Sequence, residues 1–383
     1  MPAVTRSASE AHARKARVLW QDERRHTPSL GCRGCPEFGV CGGLRVAARL
    51  FSCLDLCRCA PGACSTGSVC RRSPASFAER FREVGGFDLE NLPRIAPVAA
   101  PELPAVAPVI YHGRRRIGGF RPPAAAIPLH DVVAWKDGAP RHGAGPELRA
   151  AFGLAPDVPL VLSGTAKDPT VERWWSHEAP RRRAAIAELR ATAGDILVTV
   201  PNFSLFRDVP RWDDLHAMKR IAIAWWEFTE GGVPAALHLN ARTERDYERW
   251  ARFAAARPEV THVAFEFGTS AGQPGRREWH AGQLAGFAAA VGRPVHLVVR
   301  GGLAVLEQLS TAFSRVTMLD TSAFMKAMMR RRLVPAGDAR LEGVSAPTAP
   351  GAPLDGLLEA NARAVRDAAA LASAAPLTGR PGA

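Results

Sequence analysis

Between residues 109 and 319 the chain alternates short apolar runs, bounded by Gly, Pro or Asp, with longer amphipathic stretches. The runs that read as strands are Val109–His112, Ala126–His130, Leu160–Ser163, Ile196–Val200, Ala235–Leu239, His262–Phe267, Val295–Val299 and Val316–Leu319. Helical stretches fall between them, at Arg181–Thr192, Trp212–Glu230, Glu244–Ala256, Glu278–Val291 and Ala304–Phe313. Strand, helix, strand in repetition predicts parallel pairing through right-handed crossovers. Eight such strands predict an α/β fold, a (β/α)8 TIM-like barrel or a distorted version of one. An open doubly wound sheet is the alternative. No Gly-x-Gly-x-x-Gly opens its first unit, which weakens the case for a dinucleotide site.

The flanks read differently. Residues 1–75 are expected to form a basic helix followed by a small cysteine-rich metal-binding module. Residues 76–107 read as a short helix and then a linker, because Pro and Ala crowd from Ile95 to Val109 and proline blocks helix and central strand alike. The barrel is expected over 108–340, and a Pro/Ala-rich linker with an Ala-rich helix at Asp355–Ala374 over 341–383.

All eight cysteines lie in one short segment, at Cys32, Cys35, Cys41, Cys53, Cys57, Cys59, Cys64 and Cys70. The N-terminus is charged and has no apolar signal core, so a cytoplasmic protein is expected. In a reducing compartment such a cluster points to metal rather than to disulfides. An iron–sulfur cluster and zinc both accept thiolates, and only one Cys-x-x-Cys pair is present, so iron–sulfur leads with zinc as the alternative. Disulfides or unliganded thiols stay open, as does a purely structural role for any metal.

Lys and Arg number 50 against 37 Asp and Glu, a formal net charge of +13 over 383 residues. That excess favours anionic partners, with nucleic acid (DNA or tRNA) first. Arginine triplets at Arg114–Arg116, Arg181–Arg183 and Arg330–Arg332 add to the case for phosphate binding. No apolar run is long enough to cross a membrane.

In a parallel barrel the site lies at the C-terminal ends of the strands. Nearly every candidate strand here ends in polar residues or glycine. Asp168 follows the third strand in Ser163-Gly-Thr-Ala-Lys-Asp168, and Asn202, Phe203 and Asp208 follow the fourth. His238 ends the fifth, Glu266 the sixth, Gly301-Gly302 follow the seventh and Asp320 ends the eighth. Glu266 sits within an apolar strand, and a buried carboxylate needs a partner, which marks it as functional. The catalytic candidates are Asp320, Asp208, Glu266 and Asp168. The substrate-binding candidates are Asn202, His238, Gly301, Gly302 and Phe203. Each has a plainer reading: Asp208 and Asp320 as helix caps, His238 and Phe203 as core, and the glycine pair as a tight turn.

Short stretches of the chain resemble three known families. Cys32-x2-Cys35-x5-Cys41-Gly-Gly resembles the auxiliary-cluster segment of SPASM-type radical enzymes, although the radical-initiating Cys-x3-Cys-x2-Cys is absent. Arg300-Gly-Gly-Leu-Ala-Val-Leu-Glu307 with Val316-Thr-Met-Leu-Asp-Thr-Ser322 resembles the C-terminal part of the tRNA-guanine transglycosylase superfamily, which includes relatives acting on DNA. Pro201-Asn-Phe-Ser-Leu-Phe-Arg-Asp-Val-Pro210 is similar to a phage and mobile-element family with a Pro-Asp-Phe-Ser motif. The transglycosylase resemblance implies a barrel transferase that exchanges a nucleic-acid base, with a carboxylate nucleophile and a glycine pair against the base. Two departures stand against it. No cysteine follows Cys70, so that family's zinc motif is missing, and Asn202 replaces the Asp of the phage motif. The alternatives are a redox or lyase-type barrel enzyme acting on a small molecule, and a non-catalytic recognition subunit.

Overall fold

The computed structural model describes residues 77–133, 141–143, 145–206, 211–268, 270–337 and 340–374. The eight cysteines and Asp208 therefore lie outside the described residues. The chain divides into two compact units whose segments alternate in sequence. One takes residues up to Pro93 with Phe203–Ile223 and Asn240–Phe253; the other takes Arg94–Asn202, Ala224–Leu239 and Ala254 onward.

In chain order the elements are α1 (Phe77–Glu83), β1 (Val106–Pro108), β2 (Ala125–Pro128), α2 (Leu129–Val132), α3 (Gly145–Ala151), β3 (Leu160–Ser163), α4 (Asp168–Ser176), α5 (Ala179–Ala193) and β4 (Ile196–Thr199). Next come α6 (Arg211–Glu230), β5 (Ala235–His238), α7 (Glu244–Ala255), β6 (His262–Glu266), α8 (Arg276–Val291), β7 (His296–Arg300), α9 (Leu306–Ala312) and β8 (Arg315–Asp320). The chain ends with α10 (Ser322–Met328), β9 (Arg331–Pro335), β10 (Leu341–Ser345) and α11 (Asp355–Ala374).

The expected barrel is present, and all of its strands belong to the second unit. Eight parallel strands follow the order β1-β8-β7-β6-β5-β4-β3-β2. The ring closes through one bridge, Val109 with Ala126, where the Ile110 N–H donates to the Ala126 carbonyl at 2.7 Å. Sequences such as LVLS, ILVT and HLVVR, buried almost throughout, suit strands covered on both faces. The barrel interior is one layer of small and branched side chains, among them Ala107, Val109, Ala126, Val161, Leu197, Ala236, Ala264, Val298 and Leu319. Alanine on four strand positions of this cluster (Ala107, Ala126, Ala236 and Ala264) fits the narrow waist of an eight-stranded barrel.

The linker expected over 76–107 is corrected at its end. Val106–Pro108 is a barrel strand, three residues ahead of the predicted start. Proline is tolerated because alternate residues bond to β8. The Ala105 carbonyl accepts from Met318 and the Val109 N–H donates to the Asp320 carbonyl, so the position lacking an N–H, Pro108, falls where β8 asks for none. The C-terminal linker is corrected as well. Leu341–Ser345 pairs antiparallel with Arg331–Pro335, and the hairpin straddles the boundary expected at 340. Asp355–Ala374 is a helix as expected.

In the first unit, α1 and the parts of α6 and α7 that belong to it build their own core. The Phe81 and Phe87 rings meet edge to face at 5.2 Å, and His216 Nε2 lies 2.9 Å from Glu83 Oε2. Arg242 pairs with the buried Asp214 at 3.3 Å. The Asp246 carboxylate, in the first turn of α7, reaches back to accept from the Arg242 and Thr243 N–H groups, as the N3 acid of a capping box does.

Candidate active site at the barrel mouth

Side chains alternate in direction along a strand, so the residue two positions after each barrel-core residue is the next to face inward. Among those residues are Tyr111, Ser163, Thr199, His238, Glu266 and Arg300, while Pro128 and Thr321 take the corresponding positions after Ala126 and Leu319. The first six follow Val109, Val161, Leu197, Ala236, Ala264 and Val298 and form one polar layer at the C-terminal end of the barrel, all within the second unit.

Glu266 is the centre of a network in this layer. Its Oε1 accepts from the Gly268 N–H at 2.5 Å, and its Oε2 lies 3.3 Å from Arg300 Nη1. Burial pushes the Glu266 carboxyl above the usual carboxylate range, against the pull of Arg300 and these bonds. Arg300 reaches further and donates from Nη2 to the Tyr111 hydroxyl at 3.0 Å. Its Nε is buried without a partner among the described residues.

His238 is buried, its Nδ1 has no partner among the described residues, and burial pushes its pKa down to about 3. It is therefore a neutral imidazole at ordinary pH. Thr199 Oγ1 accepts from the Gly164 N–H at 3.1 Å, which ties the β3 turn to β4. A side chain at Gly164 would run into the Thr199 and Val200 backbone, so glycine is required at this close approach. On the β2 side stands His130, whose ring is lowered by burial and by the nearby Arg141 and Arg300 guanidinium groups, against Asp131.

The sequence candidates divide. Glu266 and His238 face inward in the layer just described. Asn202 lies three residues beyond Thr199, its N–H 3.4 Å from the Gly164 carbonyl. Asp168 stands in the first turn of α4, where a carboxylate favours the helix dipole. Asp320 has the opposite strand parity from Leu319. Its carboxylate turns to α10, accepting from the Ser322 N–H and hydroxyl at 3.0 and 2.5 Å and the Ala323 N–H at 2.8 Å. It acts as a helix cap, the plainer of its two readings. Phe203 belongs to the first unit, where it is buried with the Arg220 guanidinium 4.1 Å from its ring centre. Gly301 and Gly302 form a tight turn with φ of 74° and 88°. The Gly301 N–H is taken by the Leu319 carbonyl, and a Cβ on Gly302 would stand 2.7 Å from Phe267.

Two residues of the network had no role in the sequence reading. Arg300 stands at the end of β7, directly before the glycine pair. Tyr111 sits in the first candidate strand, and the signal that finds it is its spacing of two from Val109. The arginine triplets are partly spent inside the fold. Arg116 donates to the Phe152 carbonyl at 3.0 Å and lies 3.6 Å from Asp355. Arg182 makes a two-point pair with Glu227, and Arg330 donates to the Thr348 hydroxyl.

Among the described residues no group of three or more His, Cys, Asp or Glu is placed to hold a metal ion, and no helix is long and apolar enough to cross a membrane. No family model and no curated protein matches the chain. A solved crystal structure of a Burkholderia cenocepacia J2315 protein, provisionally assigned as a lyase/mutase, is similar over 67% of this chain and 88% of that one. The identity is 20% and the TM-score 0.32, a level at which no activity is carried across.

Proposed function

We propose that the barrel mouth is the active site of a lyase-type enzyme acting on a small anionic molecule by proton transfer. The observation behind this reading is Glu266, a buried carboxyl group in the inward-facing layer, raised above its ordinary range and held by two donors, the Gly268 N–H and Arg300. A carboxyl group tuned upward exchanges a proton nearer neutrality, as general acid–base chemistry requires. Arg300 positions Glu266 and supplies the positive charge that meets the substrate's anionic group. Neutral His238 offers a hydrogen bond without charge.

Base exchange on nucleic acid asks for a carboxylate nucleophile beside the sugar. Glu266 is the carboxylate of the inward layer, and the Asp320 carboxylate is committed to α10, so a nucleophile for base exchange would have to be Glu266 and not Asp320. A cluster or zinc on the Cys32–Cys70 segment is a separate proposal, and metal analysis with absorbance near ~400 nm on anaerobically purified protein tests it. The active-site reading is tested by thermal-shift screening of small carboxylates and phosphate esters, followed by turnover of those that stabilise the protein. Glu266→Gln is expected to keep ligand binding and lose turnover by roughly 10²- to 10⁴-fold. Unchanged turnover in that variant would remove the assignment.

A further inference from the structure

We propose that the outer edge of β10 takes an added strand, an extended acidic segment of a partner protein. The Ala346 N–H donates to the Arg330 carbonyl at 2.8 Å, and the Ala336 N–H to the Arg340 carbonyl at 2.9 Å. In this register the pairs Arg332–Val344 and Val334–Glu342 bond across the hairpin, and the residues between them turn their N–H and C=O groups outward. On β9 that outward row is covered. Asn361 accepts from the Leu333 N–H at 2.8 Å and donates to the Arg331 carbonyl at 2.9 Å. On β10 the outward row is Leu341, Gly343 and Ser345, and their backbone groups have no hydrogen-bond partner among the described residues.

An open edge is commonly blunted by proline, lysine or a bulge. Leu341–Ser345 contains none of them, and its register with β9 runs unbroken over all five residues. The strand also has a fixed base. Leu333 and Asn361 are buried on the other side of the hairpin's ladder, and Asn361 ties β9 to α10 through the Ala323 carbonyl at 3.3 Å. A firm strand with unused main-chain groups is what strand addition requires.

Gly343 sets the chemistry of the added strand. The Lys326 chain passes 3.2 Å, and the Arg331 chain 3.5 Å, from where a Cβ on Gly343 would stand. Both cations therefore share the Gly343 face of the hairpin, and neither makes an ion pair with a described residue. The residue opposite Gly343 in an added strand puts its side chain on that same face. With no side chain on Gly343 to block it, an acid there reaches both cations. On the other face the exposed Val344 offers an apolar contact to the neighbouring positions. A partner alternating acidic and apolar residues fits both faces. A second copy centred on Gly343 fits worse, because it brings Lys326 and Arg331 against their own copies.

The test uses the full chain and fluorescence anisotropy with two labelled eight-residue peptides, one alternating Val and Glu, the other Val and Lys. The Glu peptide is expected to bind more than ~10-fold tighter, because the Lys peptide sets like charges together. Ser345→Pro removes one outward N–H and leaves the bonds to β9 intact, so it should weaken the Glu peptide roughly tenfold. Lys326→Glu with Arg331→Glu should reverse the preference. Equal binding of the two peptides, binding of neither, or a Glu-peptide affinity unchanged by Ser345→Pro overturns the proposal. A concentration-dependent dimer that Ser345→Pro abolishes gives the edge to a second copy and overturns it too. Should Ser345→Pro fail to fold, residue-resolved hydrogen exchange on the wild-type protein decides. Adding the Glu peptide should slow exchange at Leu341, Gly343 and Ser345 while Glu342 and Val344, already bonded to β9, change little. Unchanged exchange at the three outward N–H groups refutes the proposal.

Discussion

Glu266 and Arg300 end adjacent parallel strands at matched register, and their side chains meet inside the barrel at 3.3 Å. Removing the arginine leaves a buried carboxylate without its cation, so Arg300→Ala is expected to move the Glu266 carboxyl further upward. It should cost more stability than Glu266→Gln, which keeps shape and hydrogen-bonding atoms. Urea denaturation of both variants orders the two losses. In turnover, the acidic limb of the pH profile is expected above the ordinary carboxylate range, because burial favours the protonated form of Glu266. An acidic limb at ordinary carboxylate pH would show that Glu266 does not control the rate.

At the N-terminal end of the barrel the His262 and His296 rings stand 4.9 Å apart on neighbouring strands. Burial, with the Arg315 charge near both rings and His262 beside His296, lowers them to about 4 and about 3. An unfolded chain binds protons at these sites below the ordinary histidine value of 6.5, and the folded chain does not. Their contribution to stability is therefore complete above about pH 6.5 and falls as pH drops toward the folded values. The fall is roughly 1.4 kcal/mol per pH unit for each ring. His296 Nε2 also meets the Thr317 hydroxyl at 2.9 Å, so His296→Gln keeps a polar contact while removing one titration. Melting temperature from pH 7.5 to pH 4.5 should drop less steeply in that variant, and an identical slope would place the proton uptake elsewhere.

How far the fold was legible follows from which physical signal each element carries. β3 through β8 are short apolar runs, buried on both faces, and burial of that kind is written directly in composition. β1 was placed late because its segment contains Pro104 and Pro108. Whether a missing N–H matters depends on which edge of the strand is paired, and a single sequence does not show that. At the barrel mouth, strand position alone puts His238 and Glu266 in the inward-facing layer. Asp320 was grouped with them because it also ends a strand, yet it sits one residue out of phase with Leu319, and parity decides whether a side chain enters the barrel. The pairing of Tyr111 with Arg300 spans nearly the whole barrel sequence and leaves no local trace.

The position of Asp320 makes a prediction opposite to that for a nucleophile. A capping carboxylate with three donors contributes about 1 kcal/mol or somewhat more, so Asp320→Ala should lower stability by that order while leaving turnover at the mouth intact. Asp320→Asn keeps an acceptor and should recover part of the loss. Thermal denaturation beside a turnover assay separates the outcomes. A fully stable but inactive Asp320→Ala protein would return Asp320 to the chemistry.

The last prediction concerns a pair outside the barrel mouth. Arg182 on α5 and Glu227 on α6 are both buried in the second unit and meet at two points, 2.7 and 2.8 Å. The Arg182 guanidinium also lies 4.4 Å from the Trp175 ring centre and donates to the His177 carbonyl. Both side chains are buried. Arg182→Met preserves most of the packed volume but strands the Glu227 carboxylate in the interior, a loss of roughly 3–5 kcal/mol. Replacing both residues, with Glu227→Leu added, removes the stranded charge and should restore much of that stability. Urea denaturation of the single and double variants measures the difference. If the double variant is no more stable than Arg182→Met alone, the loss lies in the Trp175 and His177 contacts rather than in the buried charge.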